Sequence, residues 1–194
     1  MGSAMIGGIL DASLVTTSQI IASAHSPETL DKIRTKFSIE TTQSNEVVAE
    51  RSDILFLAVK PNKFSEVLPQ IKGHLKPDCI VVSIAAGQPI ANIEALLGGV
   101  RLVRAMPNTP ALVGAAMSAL CPNDKVTPEE VKLVESLFNS FGRAEVVPES
   151  MMDAVVGVSG SSPAYVYMFI EAMADAAVAD GMPRAQAYKF AAQS

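Results

Sequence analysis

Apolar and polar positions along the first two-thirds of the chain fall into two alternating rhythms. Short apolar, β-branched runs recur at residues 19–24, 53–59, 79–86 and 100–106, with a further pair at 116–121 and 144–147. Several are continuously apolar, as strands covered on both faces should be. Between them, apolar positions lie three and four apart. Ser26-Pro27-Glu28 sets an N-cap before a proline at the first helical position, and Leu30, Ile33 and Phe37 mark one face. Residues 63–75 and 90–97 follow the same logic. Thr127-Pro128-Glu129-Glu130 reads as a capping box opening a helix with Val131, Val134, Leu137, Phe138 and Phe141 inward, stopping near Gly142. This order of elements, joined by short polar corners, predicts an α/β fold with a doubly wound parallel sheet.

Beyond residue 148 the character changes. Ser162-Pro163 caps a long Ala- and Met-rich helix reaching about residue 179, Gly181-Met182-Pro183 breaks it, and a last helix runs from Arg184 to Ser194. Ala164, Ala172, Ala176 and Ala179 form small-residue stripes that let another helix approach closely. The division expected is therefore 1–148 and 149–194.

Composition sharpens this picture in three ways. Of the 194 residues, 49% are hydrophobic and 18% charged, with mean hydropathy +0.30. A chain this long buries roughly 70% of its unfolded surface, and the apolar surplus suggests further burial against a partner chain. Net charge is −5, so there is no basic field for nucleic acid or an anionic membrane. Cys79 and Cys121 sit in separate apolar runs, which favours buried free thiols in a reducing compartment over a disulfide. His25 and His74 cannot make a metal site by themselves. Nothing reads as a signal peptide or membrane span, so a cytoplasmic protein is expected.

The chemistry concentrates at strand ends. After the apolar run at 100–103, Met106-Pro107-Asn108-Thr109-Pro110 breaks the chain with two prolines that fix φ and remove backbone donors. Between them Asn108 and Thr109 offer short polar side chains. Such corners are where open α/β sheets contact ligands. The opening residues 1–10 read as helix with no strand ahead of them, and Gly2 occupies the place of the last glycine in a G-x-G-x-x-G turn. A little over twenty residues on, Ala24-His25-Ser26 lacks the acid that holds NAD ribose hydroxyls. Ser26 instead offers a hydroxyl and a helix N-terminus, which favours NADP over NAD.

Ala58-Val59-Lys60-Pro61, Ser83-Ile84-Ala85-Ala86-Gly87, Met106-Pro107-Asn108-Thr109-Pro110 and Ser159-Gly160-Ser161-Ser162-Pro163-Ala164-Tyr165 stand in this order. Together they resemble the pyrroline-5-carboxylate reductase family, most closely its bacterial form. The resemblance implies a Rossmann domain over 1–148 and, from 149, the start of an all-helical domain that intertwines with a second subunit. It implies NADPH-dependent reduction (NAD being possible) of 1-pyrroline-5-carboxylate to proline, the last step of proline biosynthesis. By resemblance Ser26 meets the adenosine 2′-phosphate, Asn45 lies near the adenosine, and Ala58, Val59, Lys60 and Pro61 line the cofactor cleft. Ala85, Ala86 and Gly87 admit the nicotinamide half, Asn108 and Thr109 border the nicotinamide and the ring being reduced, and Glu149 lies at the substrate site.

Plainer readings stand beside these. Lys60 is equally a solvated charge at a strand end, and Ala85-Ala86-Gly87 a tight turn. Glu171 and Asp175 resemble an acid pair but more simply satisfy neighbouring helices. The family holds its substrate carboxylate with a Ser-Pro-Gly-Gly-Thr loop that these residues do not contain. The expectation is thus of a chain truncated at both ends, its first strand missing, inactive by itself. Two alternatives are an inactive nucleotide-binding fragment and a related β-hydroxyacid or 6-phosphogluconate-type dehydrogenase. The second is disfavoured because no lysine stands where that group's catalytic one would.

Overall fold

The computed structural model describes all 194 residues. In chain order the elements are α1 (Gly2–Asp11), β1 (Ile21–Ser23), α2 (Pro27–Phe37), β2 (Glu40–Thr42), α3 (Asn45–Arg51), β3 (Ile54–Leu57), α4 (Phe64–Ile71), β4 (Ile80–Ser83), α5 (Ile90–Leu97) and β5 (Arg101–Met106). There follow β6 (Ala116–Pro122), α6 (Pro128–Asn139), β7 (Gly142–Val146), α7 (Met152–Val155), α8 (Ser162–Ala179) and α9 (Arg184–Gln193). Strands β3-β4-β5-β6-β7 form one sheet in that order, and β1 pairs with β2 in a second, two-stranded sheet.

All the strands expected from apolar runs are present; the first four are shortened at their ends, β6 runs one residue longer to Pro122, and β7 begins two residues earlier, at Gly142. The parallel expectation needs one correction. β5 and β6 are antiparallel, with Arg104 opposite Cys121 and Met106 opposite Ala119. The cause is the proline-clamped corner itself. Residues 107–115, with a single 3₁₀ turn at Thr109–Val113, are too few for a parallel crossover, which takes a dozen or more. Two elements escaped the pattern, β2 and α3. The first is three mostly polar residues; the second has seven and is held by Ser44, whose hydroxyl accepts from Val47 N–H at 3.1 Å.

The five-stranded sheet is the middle layer. Every residue of β4 is buried, and alternate side chains enter opposite clusters. Val81 joins Leu55, Leu57, Phe64, Leu68, Ile93 and Leu102 on one side. Ile80 and Val82 join Met5, Val103, Leu120, Val134, Phe138 and Phe141 on the other. Phe138 packs its ring 6.1 Å from Phe56 and 5.3 Å from Phe141. The capping box forms as expected: Thr127 N–H donates to Glu130 Oε2 at 2.8 Å and Glu130 N–H to Thr127 Oγ1 at 3.3 Å. The helix it opens ends at Asn139, so Phe141 reaches the core from the turn before β7 rather than from the helix face.

From residue 149 the chain is helical, in two packing environments. A small junction core joins Met152 to Ala119 and Cys121, with Ile90, Met106, Val147 and Val155 against it. Farther on, α8 and α9 pack through Ala174, Ala187 and Ala191. Tyr165, Val166, Tyr167, Met168 and Phe169 are exposed at consecutive positions, so the middle of α8 is bare on all sides. Before α8 lies a π-helical stretch, Val156–Gly160, and Ser161 takes the N-cap position, so Ser162, expected as the cap, is the first residue of α8. No helix is long and apolar enough to cross a membrane.

Candidate functional site

Four corners lie at the C-terminal ends of parallel strands, and the N-terminus of α1 reaches one of them. After β3 the chain runs through Ala58, Val59, Lys60 and Pro61. A Cβ built on Gly2 would lie 3.5 Å from Ala58 Cβ, so the start of α1 rests against this corner with its first N–H groups free of helical partners. Lys60 is exposed and enters none of the ion pairs. After β4, Ala85 is buried while Ala86 and Gly87 are open. Gly87 has φ +69°, a left-handed conformation that costs a β-carbon-bearing residue about 1–2 kcal/mol.

At the end of β1, Ser26 takes the N-cap position of α2, as expected, with extended backbone. Its side chain makes no capping bond, so the hydroxyl is uncommitted. Asn45 stands beside this corner and bridges two elements. Its Oδ1 accepts from Ser23 Oγ at 2.7 Å and its Nδ2 donates to Gln70 Oε1 at 2.7 Å.

The corner after β5 is more tightly built than a turn requires. Asn108 Oδ1 accepts from Met117 N–H at 2.9 Å, closing the corner onto β6. Its Nδ2 donates to the Ser159 carbonyl at 3.0 Å, fifty-one residues along the chain. In an α-helical register that carbonyl would accept from the residue four positions on, but Pro163 has no N–H to give. Asn108 supplies the missing donor and so fastens the helical segment to the strand end. Thr109 beside it is exposed.

Glu149 stands at the start of the helical segment. Its Oε1 accepts from Arg104 Nη1 at 2.9 Å and from Ile90 N–H at 2.8 Å; its Oε2 has no protein donor. With Glu94, Asn123 and Lys125 it borders an open groove of about 630 Å³. Neither Arg104 nor the Ser159 carbonyl stood out in the sequence. For the carbonyl the signal was present, a proline four residues downstream in an otherwise helical stretch. For Arg104 it was the single charge inside the apolar run Leu102-Val103-Arg104-Ala105-Met106.

No three His, Cys, Asp or Glu side chains converge as metal ligands would. Burial pushes the Cys79 thiol up to about 11 and raises the Cys121 thiol as well, so both are protonated at neutral pH. Neither is a nucleophile there. Glu171 is not among the ion-paired residues, and Asp175 pairs with Arg184 across the α8–α9 packing, a structural use.

Comparison with known proteins shows the family. Residues 1–87 match the family described as NADP oxidoreductase coenzyme F420-dependent, and residues 149–194 that described as pyrroline-5-carboxylate reductase dimerisation. The pyrroline-5-carboxylate reductase of Escherichia coli is 51% identical over 195 residues, a match covering 100% of this chain and 72% of that protein. Its counterpart in Methanosarcina acetivorans is 45% identical, covering 100% and 72%. The crystal structure of Plasmodium falciparum pyrroline carboxylate reductase with NADP bound superposes with a TM-score of 0.89 at 34% identity, over 100% of this chain and 71% of that one. Prephenate dehydrogenase from Aquifex aeolicus, at 21% identity and a TM-score of 0.69, shares the fold alone. On this identity, which runs through both the sheet and the helical segment, the chain belongs to the pyrroline-5-carboxylate reductase family.

Proposed function

We propose that this protein is an NADPH-dependent imine reductase that converts 1-pyrroline-5-carboxylate to proline in the cytoplasm. Residues 1–148 would hold the cofactor and 149–194 begin the domain that pairs with a second copy. The observation that carries this reading is the gathering of the Ala58–Pro61, Ala85–Gly87 and Asn108–Thr109 corners along one sheet edge, with the free N-terminus of α1 against the first. The residues present fit a dinucleotide. The free N–H groups after Gly2 suit a pyrophosphate, and the uncommitted Ser26 hydroxyl suits a 2′-phosphate where an acid would repel it.

NADPH, when bound, supplies the hydride. The work left to the chain is binding, orientation and exclusion of water. Asn45, fixed from two sides, gives the adenosine a rigid neighbour. Lys60 contributes an unpaired positive charge at the cleft. Gly87, Asn108 and Thr109 form the walls against which nicotinamide and substrate would lie, and Glu149, whose Oε2 has no protein donor, would meet the substrate. A protonated cyclic imine is already electrophilic, which removes the need for a strong acid or nucleophile among these residues.

The bare middle of α8 supports pairing with a second copy. A helix apolar on every side is stable only when surrounded, and Tyr165–Phe169 are exposed to the extent of 53–67%.

The test is NADPH consumption in the presence of pyrroline-5-carboxylate, beside direct NADPH and NADH binding. Substrate-dependent consumption supports the reading. Binding without consumption would return the chain to the nucleotide-binding alternative, and absence of binding would overturn the cofactor site.

A further inference from the structure

Arg104 is the one charged residue buried in this protein, 8% exposed in the middle of the sheet. A buried guanidinium is tolerated only when paired, since removing its partner leaves an uncompensated charge out of water. Its partner is Glu149, forty-five residues away and the first residue after Pro148. The same oxygen, Oε1, also accepts from Ile90 N–H. That second bond answers a specific deficit. Helix α5 is preceded by Pro89, whose side chain cannot cap, so its first N–H groups lack a donor-satisfying neighbour of their own.

One carboxylate oxygen therefore ties three pieces together. Arg104 lies on β5 four residues before Asn108; Ile90 opens α5 three residues after Gly87; Glu149 begins the helical segment. All three lead directly into or out of the candidate cleft. The apolar junction core, with Met152, Ile90 and Met106, packs around the same place. Dispersion contacts of that kind resist separation but tolerate sliding. A charge-assisted bond with fixed donors does not.

We propose that Arg104 is a positioning residue: through Glu149 it sets the spacing between the Gly87 and Asn108 corners and so the width of the nicotinamide end of the cleft. The proposal rests on the cofactor reading above. It concerns neither contact with the cofactor nor contact with the substrate.

The experiment uses the full chain and three variants, Arg104→Lys, Arg104→Met and the double variant Arg104→Met/Glu149→Leu, each checked for folding by circular dichroism. Two readouts are taken: NADPH affinity, and hydrogen exchange at the Gln88 and Ile90 amides without cofactor. Arg104→Met should weaken NADPH about tenfold and speed Ile90 exchange at least tenfold, while Arg104→Lys recovers most of both. The double variant is the decisive arm, because it removes the buried charges and keeps the region apolar, so it should fold even if Arg104→Met does not. If the pair positions the corners, the double variant stays weak for NADPH; its Ile90 amide exchanges fast in either case, since Glu149→Leu removes the acceptor. Wild-type NADPH affinity in the double variant would overturn the proposal. Should the unsubstituted chain fail to bind NADPH, the cofactor reading fails, and the exchange arm still decides whether the tie exists.

Discussion

Ser26 shows how much one side chain can decide. It occupies an N-cap position yet spends none of its hydroxyl on capping, leaving that oxygen beside the free N–H groups of α2. Replacing it by aspartate would set a carboxylate where a 2′-phosphate is expected. Ser26→Asp should weaken NADPH at least tenfold, about 1.4 kcal/mol, and leave NADH within a factor of two, as titration of each nucleotide would register. Cys79 gives a second residue-scale expectation. Its thiol rises from about 9 to about 11 because burial disfavours the thiolate. A raised acid contributes its full stability below pH 9 and loses it as the pH climbs through 11. Thermal melts should therefore fall across pH 9–11, and Cys79→Ala should flatten that slope even though it lowers the melting temperature at pH 7. The Ser26 position was legible in the sequence from its distance to Gly2. The tie through Glu149 was not, because it joins residues forty-five and fifty-nine positions apart and no local pattern encodes such a pairing.

Elements of this fold were readable to the extent that they bury apolar periodicity. β4 and α6 were plain, the first because both its faces are covered and the second because its cap is written as Thr127-Pro128-Glu129-Glu130. β2 was hidden because it is three polar residues held by backbone pairing, and α3 because its seven residues, though they bury Val48 and Ala49, are too few to show a helical period and rest on a single Ser44 cap. The sense of β6 was available in principle, since the residues before it are too few to cross back over the sheet. Its partner β7 depends on a close approach. A Cβ at Gly142 would fall 2.2 Å from the Ala116 carbonyl oxygen, and backbone there cannot swing aside. Gly142→Ala should cost about 2–3 kcal/mol in urea unfolding. A loss under 0.5 kcal/mol would show that the β6–β7 edge yields more readily than the packing implies.

At the scale of the whole molecule, the sheet half is closed and the helical half is open. Phe169 is 66% exposed on a helix with no apolar-free side. Phe169→Asp should move the protein toward monomer in sedimentation, with the sheet's unfolding transition unchanged; a dimer of unaltered affinity would place the pairing surface elsewhere. The helical character beyond residue 148 was clear from composition, but its direction of departure was not. Asn108 fastens the segment to the strand end through the Ser159 carbonyl, and Pro163, four residues on, has no N–H to compete for it. The join between the two halves of the protein is thus kept single by an atom the chain lacks. An ordinary residue at 163 would restore the rival donor, and the arm would then have two ways to point.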